Sequence, residues 1–304
     1  MSQLLRPESV EGRLLFAIPK KGRLYETCLQ LLNGADIQFK RANRLDVALV
    51  KNLPIALVFL PAADIPRFVA HGNVDLGITG QDMVAEAGPA IADMITEELP
   101  LGFGRCQLQV QVPEHGEVQE VEQLCGKKIA TSFDHLTGRY FEELDAKVGR
   151  KTAIEYLNGS VETACALGLA AGIVDLVESG ETMRACGLKP IATLLTSEAV
   201  LIRPTTPHAS EAERLIPLIT SRIRGVIAAG RYVLCQYNIS REALPRALEI
   251  TPGRRAATIT QIEEQGWCAV SSMVERSNVA SIMDRLEMVG ASDILILGID
   301  NCRV

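Results

Sequence analysis

The stretch Gly172-Ile173-Val174-Asp175-Leu176-Val177-Glu178-Ser179-Gly180-Glu181-Thr182 has the residue types of a phosphate-binding turn. An apolar, β-branched run closes on acidic residues and then breaks into a small, hydroxyl-bearing turn. Gly180 permits a positive φ and a close backbone approach, while the hydroxyls of Ser179 and Thr182 and successive backbone N–H groups can converge on phosphate oxygens. Asp175 and Glu178, just ahead of the turn, suit ribose hydroxyls or a magnesium ion. Taken alone, the same spelling also describes an ordinary strand-turn-helix with glycine as punctuation.

A second segment resembles the first. His71-Gly72-Asn73-Val74-Asp75-Leu76-Gly77-Ile78-Thr79-Gly80 aligns with Ala171–Gly180, keeping Gly, Val, Asp, Leu and the final Gly in register. In open α/β sheets ligands sit outside the carboxyl ends of strands. Two such strand ends therefore predict two similar lobes facing one cleft, with Asp75, Thr79 and Gly80 on the first-lobe side.

The composition is that of a globular protein of more than one domain. The 304 residues exceed what one core usually serves, and 47% apolar with 22% charged residues is ordinary. No apolar run approaches a membrane span, and Met1–Glu8 lacks the apolar core of a signal peptide, which places the protein in the cytoplasm. Eight scattered cysteines read as small apolar residues, and four scattered histidines form no zinc pattern. A net charge of -6 argues against a nucleic-acid surface, while leaving local basic clusters at Lys20-Lys21-Gly22-Arg23 and Arg254-Arg255.

The elements that must position these residues alternate. Strands are expected at Leu14–Pro19, Val47–Val50, Ile55–Leu60 and Val74–Thr79, and helices at Leu24–Leu32, Ile65–Ala70 and from Met83. A long extended run, Leu99–Val112, contains Gly102 and Gly104 as a hinge into a second lobe. There the alternation resumes: strand Lys128–Ser132, helix Leu136–Val148, strand Ala153–Leu157, helix Val161–Ala170, strand Ile173–Val177. Such βα repetition predicts mainly parallel sheets. Ile191–Ile202 should lead back to the first lobe, and His208–Ala229 has the spacing of an amphipathic helix. Beyond Gly230 the order is strand Tyr232–Tyr237, helix Arg241–Leu248, strands Ala257–Ile262 and Trp267–Val274, helix Asn278–Val289 and strand Asp293–Ile299. That βαββαβ order is ferredoxin-like.

From about Leu14 to the C-terminus the chain resembles the ATP phosphoribosyltransferases of the long form. The most specific motif runs from Glu162 to Met183, where Glu162, Gly168, Gly172, Val174, Asp175, Leu176, Ser179, Gly180, Thr182 and Met183 match. Pro19–Leu24, Val74–Gly80, Ile129–Ser132 and Leu157–Glu162 support it. The resemblance implies an α/β catalytic unit of two lobes, periplasmic-binding-protein-like (type II), formed by residues 11–104 with 190–230 and by residues 105–189. It further implies a ferredoxin-like, ACT-like domain at 231–304 that binds histidine as feedback inhibitor. It also implies a homo-oligomer, a hexamer in equilibrium with dimers. The implied reaction is magnesium-dependent transfer of phosphoribosyl from phosphoribosyl pyrophosphate to N1 of the adenine of ATP.

Residue roles follow from this likeness. Ser179, Gly180, Glu181 and Thr182 bind the 5-phosphate, and Asp175 with Glu178 hold ribose hydroxyls or magnesium. Arg23, with Lys20 and Lys21, meets ATP or pyrophosphate, or else is a solvated helix start. Glu162 accepts a hydrogen bond from ribose or adenine, or is a helix-start carboxylate. Asn238, Thr258 and Met273 take histidine, although a neutral amide at Asn238 holds an amino group less strongly than the acidic residue many relatives carry there. No P-loop sequence ending in Gly-Lys-Ser or Gly-Lys-Thr is present, so ATP must be held by other means. A two-lobed binding or effector-sensing protein without catalysis is the alternative reading.

Overall fold

The computed structural model describes residues 10–41, 45–206 and 214–303. They form two compact units. One combines the described residues up to Leu29 with Gln38–Ile216, and the other combines Gln30–Ile37 with the residues from Pro217 onward.

The first unit contains two sheets, one per lobe. Lobe I is built from β1 (Leu14–Pro19), β2 (Val47–Leu49), β3 (Ile55–Leu60), β4 (Leu76–Gly80), β5 (Ile95–Pro100) and β11 (Ala199–Pro204), in the order β2-β3-β1-β4-β11-β5. Its helices are α1 (Tyr25–Gly34), α2 (Ile65–Ala70), α3 (Gln81–Glu86) and α4 (Pro89–Ala92). β1 is a run of apolar side chains because both of its faces are covered: Leu14, Phe16 and Ile18 on one face and Ala17 on the other are fully buried. Burying each of the larger ones contributes roughly 1.5–3 kcal/mol. Pro66 in the first turn of α2 sits where a missing N–H costs nothing.

Lobe II is built from β6 (Cys106–Pro113), β7 (Lys128–Thr131), β8 (Ala153–Tyr156), β9 (Gly172–Val177) and β10 (Leu188–Ser197), in the order β10-β6-β9-β7-β8. Its helices are α5 (Asp134–Val148), α6 (Thr163–Ala166) and α7 (Glu181–Ala185). α5 ends where Gly149 turns left-handed at φ 73° and donates its N–H to the Asp145 carbonyl. The helix expected over Val161–Ala170 is only the single turn α6. Gly168, at φ 67°, breaks it and returns the chain to β9.

The two sheets repeat one plan. Taken within each lobe, the second, first and third parallel strands are followed by a crossing strand and then the last strand: β3-β1-β4-β11-β5 and β8-β7-β9-β6-β10. This is the strand order of type II periplasmic binding proteins. The sheets are mixed rather than mainly parallel, because β11, β5, β6 and β10 all pair antiparallel. The two long extended runs of the sequence each divide between the sheets. Leu99–Val112 breaks at residues 101–105, where Gly102 (φ 76°) and Gly104 (φ 63°) turn the chain, and Ile191–Ile202 breaks at Glu198. Residues 190–197 therefore pair in lobe II, not lobe I.

The second unit holds α8 (Leu215–Arg231), β12 (Tyr232–Ser240), α9 (Leu244–Ile250), β13 (Thr258–Gln261), β14 (Trp267–Glu275), α10 (Val279–Met288) and β15 (Ser292–Gly298). The antiparallel order β13-β14-β12-β15 is that of a ferredoxin-like sheet. Strict alternation on β12 puts Val233, Cys235, Tyr237 and Ile239 into a core with Val270, Ile282 and Leu286, and leaves the other face, among the described residues, free of the helices α9 and α10 that cover this core. By packing, the second unit also takes in the residues from Pro217 up to the expected boundary at 230/231. Gly34 packs where an added Cβ would lie 3.0 Å from Val226, Arg222 donates to the carbonyls of Ala35 and Asp36, and Asn301 donates to that of Gly34. Residues 207–213, including the start of the helix expected from His208, lie outside the described residues.

Candidate active site

The phosphate-type turn forms as its residues dictate. β9 ends at Val177, Glu178 and Ser179 leave the sheet, and Gly180 adopts φ 75°, ψ 6° immediately before α7. Ser179 Oγ accepts the Glu181 N–H at 3.3 Å, and the Arg184 guanidinium ties the turn by donating to the Ser179 carbonyl at 3.0 Å. A cavity of about 220 Å³ opens over the turn, lined by Glu162, Asp175, Glu178, Ser179, Gly180, Glu181 and Thr182 from lobe II and by Arg23 from lobe I. Glu162 immediately precedes α6, makes no side-chain cap hydrogen bond there, and lines this cavity.

Asp175 is the most perturbed carboxyl of the cavity. Burial, with the nearby Glu162 charge, pushes it above the usual carboxylate range, against the pull of the Leu176 N–H at 2.8 Å. Gln111 and Cys106 also line the space, and Gln111 donates to the Asp175 carbonyl. Sequence reasoning missed both. A signal was present: Gln107, Gln109 and Gln111 alternate with Leu108, Val110 and Val112, so one face of β6 must be polar although Gln109 and Gln111 are buried. Gln109 stands directly across from Asp175.

Arg23 reaches the cavity from the turn after β1. Its guanidinium donates to the Gly104 carbonyl at the hinge and pairs with Asp82 Oδ1 at 3.4 Å. Asp82 is 1% exposed; Ser197 at the end of β10 donates to the same oxygen at 2.6 Å and accepts the Asp82 N–H. This trio, with Asp82 and Ser197 buried beneath Arg23, joins the two lobes. It also explains the glycines around it: a Cβ on Gly80 would clash with Asp82 Oδ1, and one on Gly104 with the Leu24 side chain.

The other first-lobe candidates do different work. Asp75 accepts the Leu15 N–H at 2.7 Å and so pins β4 to β1, and Thr79 is fully buried and donates to the Ala62 carbonyl. Neither lines the cavity. The internal repeat therefore holds for strand position but not for the turn. β4 runs on to Gly80, which is extended (φ -86°), whereas β9 stops three residues short of Gly180. Lys20 lies 3.8 Å from Asp46, and Lys21 is exposed.

In the second unit Asn238, Thr258 and Met273 share the helix-free face of the sheet, since Thr258 stands opposite Ser271 and Met273 lies two residues further along β14. Asn238 donates its amide to the Asp293 carboxylate at 2.9 Å, and Asp293 itself holds a positive φ of 50°. Met273, but neither Asn238 nor Thr258, lines a cavity of about 320 Å³ with Gly253, Arg254 and Asn278. Among the described residues no group of three His, Cys, Asp or Glu side chains is placed to hold a metal.

A two-lobed α/β unit with a phosphate turn, flanking carboxylates and an arginine from the opposite lobe defines an enzyme for a phosphorylated sugar. Compared with known proteins, residues 61–225 match the family described as ATP phosphoribosyltransferase, and residues 229–301 match the description HisG, C-terminal domain. The ATP phosphoribosyltransferase of Schizosaccharomyces pombe is 57% identical over 97% of this chain and 98% of its own length, and that of Saccharomyces cerevisiae 54% identical over 96% and 97%. An ATP phosphoribosyl transferase (HisG:HisZ) complex from Thermotoga maritima has a chain with the same fold, at TM-score 0.58 and 24% identity, covering 69% of this chain and 98% of that one. The chain belongs to the ATP phosphoribosyltransferase family, and it is a transferase of histidine biosynthesis.

Proposed function

We propose that the cavity over Gly180 holds phosphoribosyl pyrophosphate while its anomeric carbon is passed to N1 of the adenine of ATP, with release of pyrophosphate. The observation that carries this is the left-handed Gly180 turn, which opens Ser179, Glu181 and Thr182 toward a space that also contains Arg23. Backbone N–H groups and the two hydroxyls take the 5-phosphate, and Asp175 and Glu178 take the ribose hydroxyls. Breaking the bond to pyrophosphate builds negative charge on the leaving group, which Arg23 stabilises from the other lobe. The adenine nitrogen is already nucleophilic, so holding both substrates in line matters most and contributes about 7–11 kcal/mol.

Magnesium fits this site as a companion of the substrate. Four carboxyl groups and one guanidinium line the cavity, so a polyanion enters more readily with a divalent cation. One or two carboxylates together with substrate phosphates is the usual magnesium environment, and Asp175 and Glu178 can supply them. When bound, the ion neutralises the departing pyrophosphate.

Histidine binds the helix-free face of the C-terminal sheet as a feedback inhibitor, at Asn238, Thr258 and Met273. The carboxylate missing from Asn238 is supplied beside it by Asp293, which is held in a strained conformation that a ligand site can justify. The working assembly is a hexamer exchanging with dimers, a reading supported by Leu295 and Leu297, about half exposed on the edge strand β15. Eight free thiols suit a cytoplasmic location. The test is to incubate the protein with ATP, phosphoribosyl pyrophosphate, magnesium and a pyrophosphatase and to follow the adduct by mass spectrometry. Adduct formation that histidine suppresses supports both sites. Adduct insensitive to histidine removes the inhibitor site, and no adduct from folded protein removes the reaction.

A further inference from the structure

A second cavity, of about 420 Å³, lies between the lobes and is lined by Ala63, Asp64, Arg67, Met83 and Glu86 from lobe I and by Ser132, Asp134, His135 and Tyr156 from lobe II. At its wall the Glu86 carboxylate, at the end of α3, crosses to the other lobe. Oε1 accepts the His135 N–H at 2.8 Å and Oε2 the Leu136 N–H at 3.0 Å. These are orphan donors of the first turn of α5, the longest helix of lobe II, and no side chain of α5's own N-cap serves them. The neighbouring fit is close. Gly88 passes at 3.6 Å (from an added Cβ) to the His135 ring, whose Nε2 is buried without a partner. α3 thus ties the lobes at both ends, through Asp82 to Ser197 at its start and through Glu86 to α5 at its end.

Resting on the assignment of the phosphoribosyl cavity above, we propose that Glu86 is a positioning residue, a clamp between the lobes that fixes the closure at which Arg23 stands over the Gly180 turn. Arg23 and the turn belong to different lobes, and among the described residues the chain links those lobes at residues 101–105 and at Glu198. Two covalent crossings define a hinge axis; a contact away from them sets the angle about it.

The clamp is sensitive to protons. Burial pushes the Glu86 carboxyl up to about 7, the two amide hydrogen bonds oppose this, and Asp134 adds to it. Asp64, Arg67, His135 and Tyr156 are the other ionisable groups around the cavity. In open lobes Glu86 would sit in water with an ordinary carboxylate value, so closure takes up a proton. Closure is then favoured at low pH and loses that advantage as pH rises through about 7.

The test compares wild type, E86Q and D134N from pH 5.5 to 8.5, with adduct formation for kcat/KM and hydrogen exchange at the first-turn amides of α5. Gln keeps the shape but accepts at only one oxygen. In E86Q the exchange of the Leu136 or His135 amide is expected to rise at least 10-fold. The ratio of kcat/KM between E86Q and wild type should change at least threefold across the range, with most of the loss in KM. D134N should move the inflection to lower pH. A constant ratio near one, with unchanged exchange and an unshifted D134N profile, overturns the clamp. Absence of adduct from wild type overturns the reading on which it rests, while exchange still reports on the contact.

Discussion

Replacing Gly180 by Ala separates a binding turn from a merely strained one. Gly180 has φ 75°, a region that costs an L-residue about 1–2 kcal/mol. The added Cβ would also lie 2.7 Å from the Arg184 guanidinium, displacing the hydrogen bond it makes to the Ser179 carbonyl, worth about 0.5–1.5 kcal/mol. If the chain relieves this by rotating away from the left-handed region, the N–H groups of Glu181 and Thr182 no longer converge. Two hydrogen bonds to a charged phosphate are worth about 3–6 kcal/mol, so affinity should fall roughly 100- to 10,000-fold. Gly187 is the control. It has φ 66°, open space where its Cβ would go, and no place in the cavity. Both variants should lose about 1–2 kcal/mol of stability, a drop in Tm of roughly 2–8 °C. Calorimetry with phosphoribosyl pyrophosphate and magnesium should show binding lost only in G180A. Equal affinities for G180A and G187A would refute the argument, because the turn would then be punctuation.

Three further expectations concern the carboxylates and their partners. R23A should cut kcat/KM about 100-fold and lower Tm, since Asp82 is left buried without its cation; R23A/D82N should regain stability but not turnover, as thermal unfolding and kinetics will show. Burial and the Glu162 charge raise the Asp175 carboxyl, so binding of phosphoribosyl pyrophosphate should weaken on acidification above the ordinary aspartate range. E162Q should shift that acid limb to lower pH, measured as Kd against pH, because it removes one of the two causes. D293N should reduce histidine affinity at least 10-fold in calorimetry while leaving uninhibited kcat within twofold, since the residue lies in the C-terminal sheet.

Much of this was legible in the residues. Gly180 was readable because only a residue without Cβ is at ease in that turn, and the βαββαβ order because its two central strands, β12 and β14, alternate between a buried and an open face. The hinge in Leu99–Val112 was marked by Gly102 and Gly104, which turn the chain there, but the split of Ile191–Ile202 was not readable. A strand that leaves one sheet for another stays extended and apolar throughout, and pairing partners leave no mark on the periodicity. Asp75 and Asp175 have the same sequence surroundings, yet one holds a backbone N–H and the other faces the cavity. That choice depends on where the strand stops, which is set by neighbours distant in the chain. Glu86 gave no local signal at all, because the amides it serves lie some fifty residues further on.

The sharing of one helix between two units sets an order of events in making the protein. α1 begins in the first unit, but its last residues and those that follow to Ile37, with Leu32 and Ile37 buried, belong to the second, whose remaining residues start about 180 positions later. At roughly 5–20 residues per second, a ribosome needs about 10–40 s to supply them. Through that interval the emerging chain carries a short apolar segment near its own beginning that has no place to go, and it is there that a chaperone would find its grip.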